Sequence, residues 1–156
     1  MITTNTETKS EATYTPNMMT EIARVAFVLE SRDRTSTQLT EENFALLRMA
    51  RTLREAQRTQ AELIKHLNSW PGSGSSCYAN AFECLYKAEL VLEAWVLVET
   101  RGTSILDALE TVVRGASNHL VKNWGEHRSS CPMHRAMAES KREALADFIQ
   151  SFQINP

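Results

Sequence analysis

Between Cys77 and Arg101 the chain reads CYANAFECLYKAELVLEAWVLVETR, with no proline or glycine, and from Leu90 to Val98 it is apolar except for Glu93. A helix of this length extends roughly 37 Å, and its apolar residues fall on several sides, so it must be covered on several sides. That single stretch predicts an all-α fold: a mostly antiparallel bundle of about five helices around a long central helix at 77–101. The cover comes either from helices of the same chain or from a second subunit.

The flanking sequence supplies four more amphipathic segments. Residues 1–15 are Thr-, Ser- and Asn-rich with little to bury and are expected to be a disordered tail, followed by one helical domain over 16–156. Thr15-Pro16 suits a helix start, and Met18, Ile22, Val25, Phe27, Val28 and Leu29 give the first helix a wide apolar face. Residues 35–39 then read as a linker. Thr40 before Glu41 and Glu42 is a hydroxyl cap with carboxylates at the positive end of the next helix, expected over 41–68. Its inner row, Leu46, Ala50, Leu53, Gln57, Gln60, Ile64 and Leu67, has 4-3 spacing, and its two glutamines either hydrogen-bond across to a neighbouring helix or open to solvent. NSWPGSGSS (68–76) permits a reversal. After Gly102, Ser104 and Asp107 have the spacing of a cap and an N3 carboxylate. The fourth helix carries Ile105, Leu109, Val112, Ala116 and Leu120 inward and is expected to stop at Gly125. Pro132 opens the last helix, whose inner side is Met133, Met137, Ala144, Leu145, Phe148, Ile149 and Phe152.

With 156 residues the chain is long enough to bury a core without a disulfide or metal. Cys77, Cys84 and Cys131 are odd in number and follow a polar N-terminal stretch, so reduced thiols and a cytoplasmic location are expected. The apolar run at 90–98 is about half the length needed to cross a bilayer, and no membrane association is expected. A net charge of −2 announces no polyanionic partner.

Two constellations could carry chemistry. Arg114 and His119 lie late in the fourth helix; a guanidinium and an imidazole suit metal-independent phosphodiester cleavage, the imidazole moving a proton and the guanidinium holding transition-state charge. Five residues apart, they diverge by about 140° around a helix, so they meet across a distorted helix or between paired subunits. A helical bundle with Arg, four residues and His late in the chain resembles the HEPN family. The resemblance implies a four- or five-helix bundle and, in catalytic members, a dimeric ribonuclease acting on RNA, with Arg114 and His119 as the catalytic pair.

His127, Cys131 and His134 form the second constellation, three borderline-soft ligands within eight residues. Zinc is the metal they suit, with His119, Cys77 or Cys84 as a fourth ligand; Cys131 before Pro132 is the alternative haem thiolate, and the plain alternative is a capped helix start. No Glu-x-x-His occurs, which removes a di-iron reading. The row Arg48, Arg51, Arg54, Arg58 and Lys65 could track a phosphate backbone, but Glu55 and Glu62 stand four residues after Arg51 and Arg58 and are expected to neutralise them. Against these stands the leading expectation: a non-enzymatic interaction or regulatory protein, without a cofactor, that pairs with itself or a protein partner through apolar helix surfaces, with Leu90, Leu97 and Val98 as the open strip.

Overall fold

A computed structural model describes residues 14–35, 40–69, 75–127 and 132–154. They form five helices: α1 (Tyr14–Thr35), α2 (Glu41–Ser69), α3 (Ser75–Arg101), α4 (Ile105–His127) and α5 (Pro132–Phe152). No strand occurs among the described residues. The all-α bundle and its long central helix are therefore as expected. The expected tail falls mostly on residues 1–13, outside the described residues; Tyr14 and Thr15 already belong to α1.

The helix starts follow from local chemistry. The Asn43 N–H donates to Thr40 Oγ1 at 3.2 Å and the Asp107 N–H to Ser104 Oγ at 3.2 Å, so α2 and α4 open on the hydroxyl caps their sequences offer. Gly102 ends α3 at φ 65°, its N–H donating to the Val98 carbonyl at 3.1 Å. α5 ends differently. The Ile154 N–H donates to the Ile149 carbonyl and the Gln153 N–H to the Gln150 carbonyl, a Schellman closure in which Gln153 takes the left-handed position at φ 55°. Ile149 and Ile154 both pack against the core, supplying its hydrophobic contact. One expected stop is wrong: α4 runs through Gly125 to His127. A glycine inside a helix costs only about 1 kcal/mol, less than four turns of packed α4 can carry.

α3 packs against all four other helices. Antiparallel to it, α2 contributes Leu46, Met49, Ala50, Leu53 and Ala56 to the core, and Gln60 Nε2 donates to the Ala81 carbonyl at 3.1 Å, so one seam glutamine bridges two helices. α5 lies on the other flank, parallel to α3, tied by Lys87 to Asp147 and by Ser140 Oγ donating to Glu83 Oε1 at 3.2 Å. The buried face of α3 is Cys84, Ala88, Val91 and Trp95, widened by Leu90 and Ala94. Its alanines leave room for neighbouring helices to come close. Phe27, Ile64 and Met137, expected inward, are among the residues that point to solvent.

Candidate functional site

α1 packs on α2 and α3, and among the described residues its backbone does not come close to α4 or α5. α1 reaches α3 through Arg24, 3.8 Å from Glu99, and through Arg32, whose guanidinium lies 5.0 Å from the Trp95 ring centroid. α4 reaches α3 on another side, antiparallel after the Gly102 turn. Between them one face of α3 has no helix over it. The result is an open groove of about 500 Å³ with Leu92, Val96, Val112 and Ala116 on its floor and Glu21 and Glu93 on its rim.

Two details fit this groove to a helix. Gly115 lies in its wall, and a Cβ there would meet nothing within 4 Å, so backbone can approach α4 closely. Val96, at the floor, is 50% exposed, an expensive position for a β-branched apolar side chain in water. Partial desolvation and the charge of Glu89 push the Glu93 carboxyl above its ordinary value. Glu93 forms no ion pair among the described residues. Glu21, by contrast, is held below its ordinary value by the Arg24 guanidinium, 2.7 Å away.

The open strip shares Leu97 with the expected one but not Leu90. Leu90 is 3% exposed and belongs to the core, because α3 turns it toward its covering helices. Leu97 is half-buried and lines the groove, and Val98 is half-buried against the core. Val96 is the most open of the apolar residues that α3 gives the groove, with Leu92, one turn before it, half-buried beside it. Periodicity does not single out this stripe, because a helix apolar on several sides gives no signal for which one is uncovered.

Arg114 and His119 are both exposed on α4, which is a continuous helix through them. Helical geometry sends them about 140° apart, with His119 on the groove side beyond Gly115 and Arg114 on the outer side. His119 already has a polar partner. Cys131 and the side chains of His127 and His134 lie outside the described residues. Among the described residues no group of three His, Cys, Asp or Glu could hold a metal, and no helix is long and apolar enough to cross a membrane. Cys84 is buried, and burial pushes its thiol up, so it stays protonated and inert.

The arginine row of α2 resolves into unlike members. Arg58 takes both Glu55 and Glu62, and Arg54 takes Glu30 of α1. Arg51, expected to pair with Glu55, forms no ion pair among the described residues. Comparison with protein families, with characterised proteins and with solved structures finds no match to this chain.

Proposed function

We propose that the protein is a non-enzymatic, self-associating helical protein, and that its groove receives α4 of a second copy. The observation that carries this reading is Val96: a half-exposed apolar residue on a rod that all four other helices contact, in an open groove with a glycine in its wall. Charge complementarity supports α4 as the occupant. Its outer face presents Arg114, Val121 and Lys122 at helical spacing, with Val121 75% exposed. Val121 would enter the apolar floor, and Arg114 or Lys122 would meet the unpaired Glu93. Because α4 also walls the groove, one two-fold axis can seat each α4 in the other copy's groove, an isologous arrangement that closes at the dimer.

Sedimentation over a range of concentrations tests the reading. The wild-type chain is expected to pass from monomer to dimer; Val96→Glu, which sets a charge on the floor, and Val121→Glu, which sets one on the knob, are each expected to leave a folded monomer. A wild type that stays monomeric to roughly 1 mM, the limit of a −4 kcal/mol interaction, would overturn it.

A further inference from the structure

On a face of α3 turned away from the groove, α2, α3 and α5 enclose a second cavity, smaller and more closed, of about 240 Å³. Cys84 and Lys87 line it from α3, on average about 130° around the helix from Leu92 and Val96. We propose that this cleft binds a small organic monocarboxylate, the carboxylate held by Arg48 and Arg51 and the apolar body resting on Phe148 and Phe152.

The charges in the cleft do not cancel as the sequence spacing suggests. Of the two carboxylates in its wall, Glu55 is taken by Arg58 and Asp147 by Lys87. Arg48 and Arg51 are left with no ion pair among the described residues. Arg48 is also held in place: its guanidinium lies 4.6 Å from the Phe44 ring centroid, and one terminal N–H donates to Ser151 Oγ at 3.2 Å. Its Nε is buried with no acceptor among the described residues, a donor left unsatisfied that a bound carboxylate would serve. Both arginines line the cleft, one already positioned, and a guanidinium presents the paired N–H donors that a planar carboxylate accepts.

The wall also selects the ligand's charge and body. All its residues come from helix interiors apart from the C-terminal turn of α5, so no free backbone N–H groups of the kind that cradle phosphates face the cleft. Counted over the wall itself, Arg48, Arg51 and Lys87 face Glu55 and Asp147, an excess of one positive charge that a monoanion balances and a dianion overshoots. Cys84, Phe148 and Phe152 make the rest of the surface apolar. The volume equals that of about eight liquid waters, which admits a molecule the size of benzoate or hexanoate.

The test is a titration of the full chain with benzoate, hexanoate and inorganic phosphate at matched ionic strength, followed by amide chemical shifts. Saturable shifts centred on Thr52, Cys84 and Ser151 are expected for the carboxylates, with phosphate at least tenfold weaker. Arg51→Met, at an exposed position, is expected to keep the wild-type thermal midpoint and weaken benzoate at least tenfold; Arg51→Lys is expected to fall between. Absence of saturation, equal affinity in Arg51→Met, or tighter phosphate binding would each overturn the proposal. Val96→Glu is expected to bind benzoate as wild type does, so this site and the groove succeed or fail separately.

Discussion

Leu90 and Val96 stand six residues apart on one helix, and the structure assigns them opposite fates, so truncating each to alanine gives opposite results. Leu90→Ala removes three carbons from the core. At about 0.8 kcal/mol for each buried carbon, the transfer loss is roughly 2.4 kcal/mol, and the residual cavity raises the cost to about 3 kcal/mol or more. Val96→Ala removes two carbons from a side chain that is 50% exposed, a loss of about 0.8 kcal/mol. Replacing a β-branched residue by alanine in a helix returns roughly 0.5 kcal/mol, so the net effect on the isolated fold is about zero. For a chain of this size, 1 kcal/mol moves the midpoint by about 2–4 °C. Thermal unfolding at low protein concentration should place Leu90→Ala about 9 °C below wild type and Val96→Ala within about 1 °C of it. At high concentration Val96→Ala should fall behind, because it loses the stabilisation that association adds to wild type. A Leu90→Ala cost below about 1 kcal/mol, or a Val96→Ala cost above about 1.5 kcal/mol at low concentration, would mean that α3 is rotated from the orientation described.

Gly115→Ala adds a methyl into open space and should stabilise the monomer by up to about 1 kcal/mol through helix propensity, while weakening self-association by narrowing the groove; a weaker monomer by chemical denaturation would contradict the geometry. Glu93 has a folded-state pKa raised above its unfolded value, so its charged form costs stability once pH exceeds the folded value, and that cost vanishes as pH falls below the unfolded one. Glu93→Gln should therefore stabilise the monomer at pH 7, with the advantage shrinking below the ordinary carboxylate range, and should weaken the dimer by removing the partner of Arg114 or Lys122. Gln153→Gly should stabilise by about 1 kcal/mol, because glycine takes the left-handed cap without the Cβ penalty, measurable by urea denaturation. If the HEPN-like expectation is right, RNA cleavage by the purified protein should disappear in His119→Ala with its thermal midpoint kept; no cleavage by wild type ends that reading.

What the sequence made legible was whatever short-range chemistry decides. Thr40, Ser104 and Gly102 place helix ends through bonds made within one turn, and α2, with polar residues on one side, declares its inner row from Leu46 to Leu53, though Ile64 further along points to solvent. α3 was harder. With Leu90, Val91, Leu92, Val96 and Val98 spread round its axis, the chain alone cannot say which of them faces water; that depends on where α1 crosses and how far it stays from α4, a tertiary fact. Arg51 went astray for a similar reason. Spacing offered it Glu55 four residues on, but Arg58 reaches both Glu55 and Glu62 and outcompetes it, leaving an unpaired cation beside Arg48 that only the meeting of three helices turns into a cleft. The Gly125 stop failed because one glycine costs about 1 kcal/mol, too little by itself to end a helix of this length.

The isolation of α1 from α4 and α5 also has a bearing on how the molecule breathes. α1 is fastened along α2 by the fully buried Ile22, Val25, Ala26 and Leu29, and to α3 by Arg24 beside Glu99 and Arg32 over Trp95, so the lighter attachment, and the one that opens first, is to α3. The same event would lift Arg32 from the Trp95 ring and uncover an indole whose N–H is buried without a partner, giving its fluorescence a direct view of that excursion.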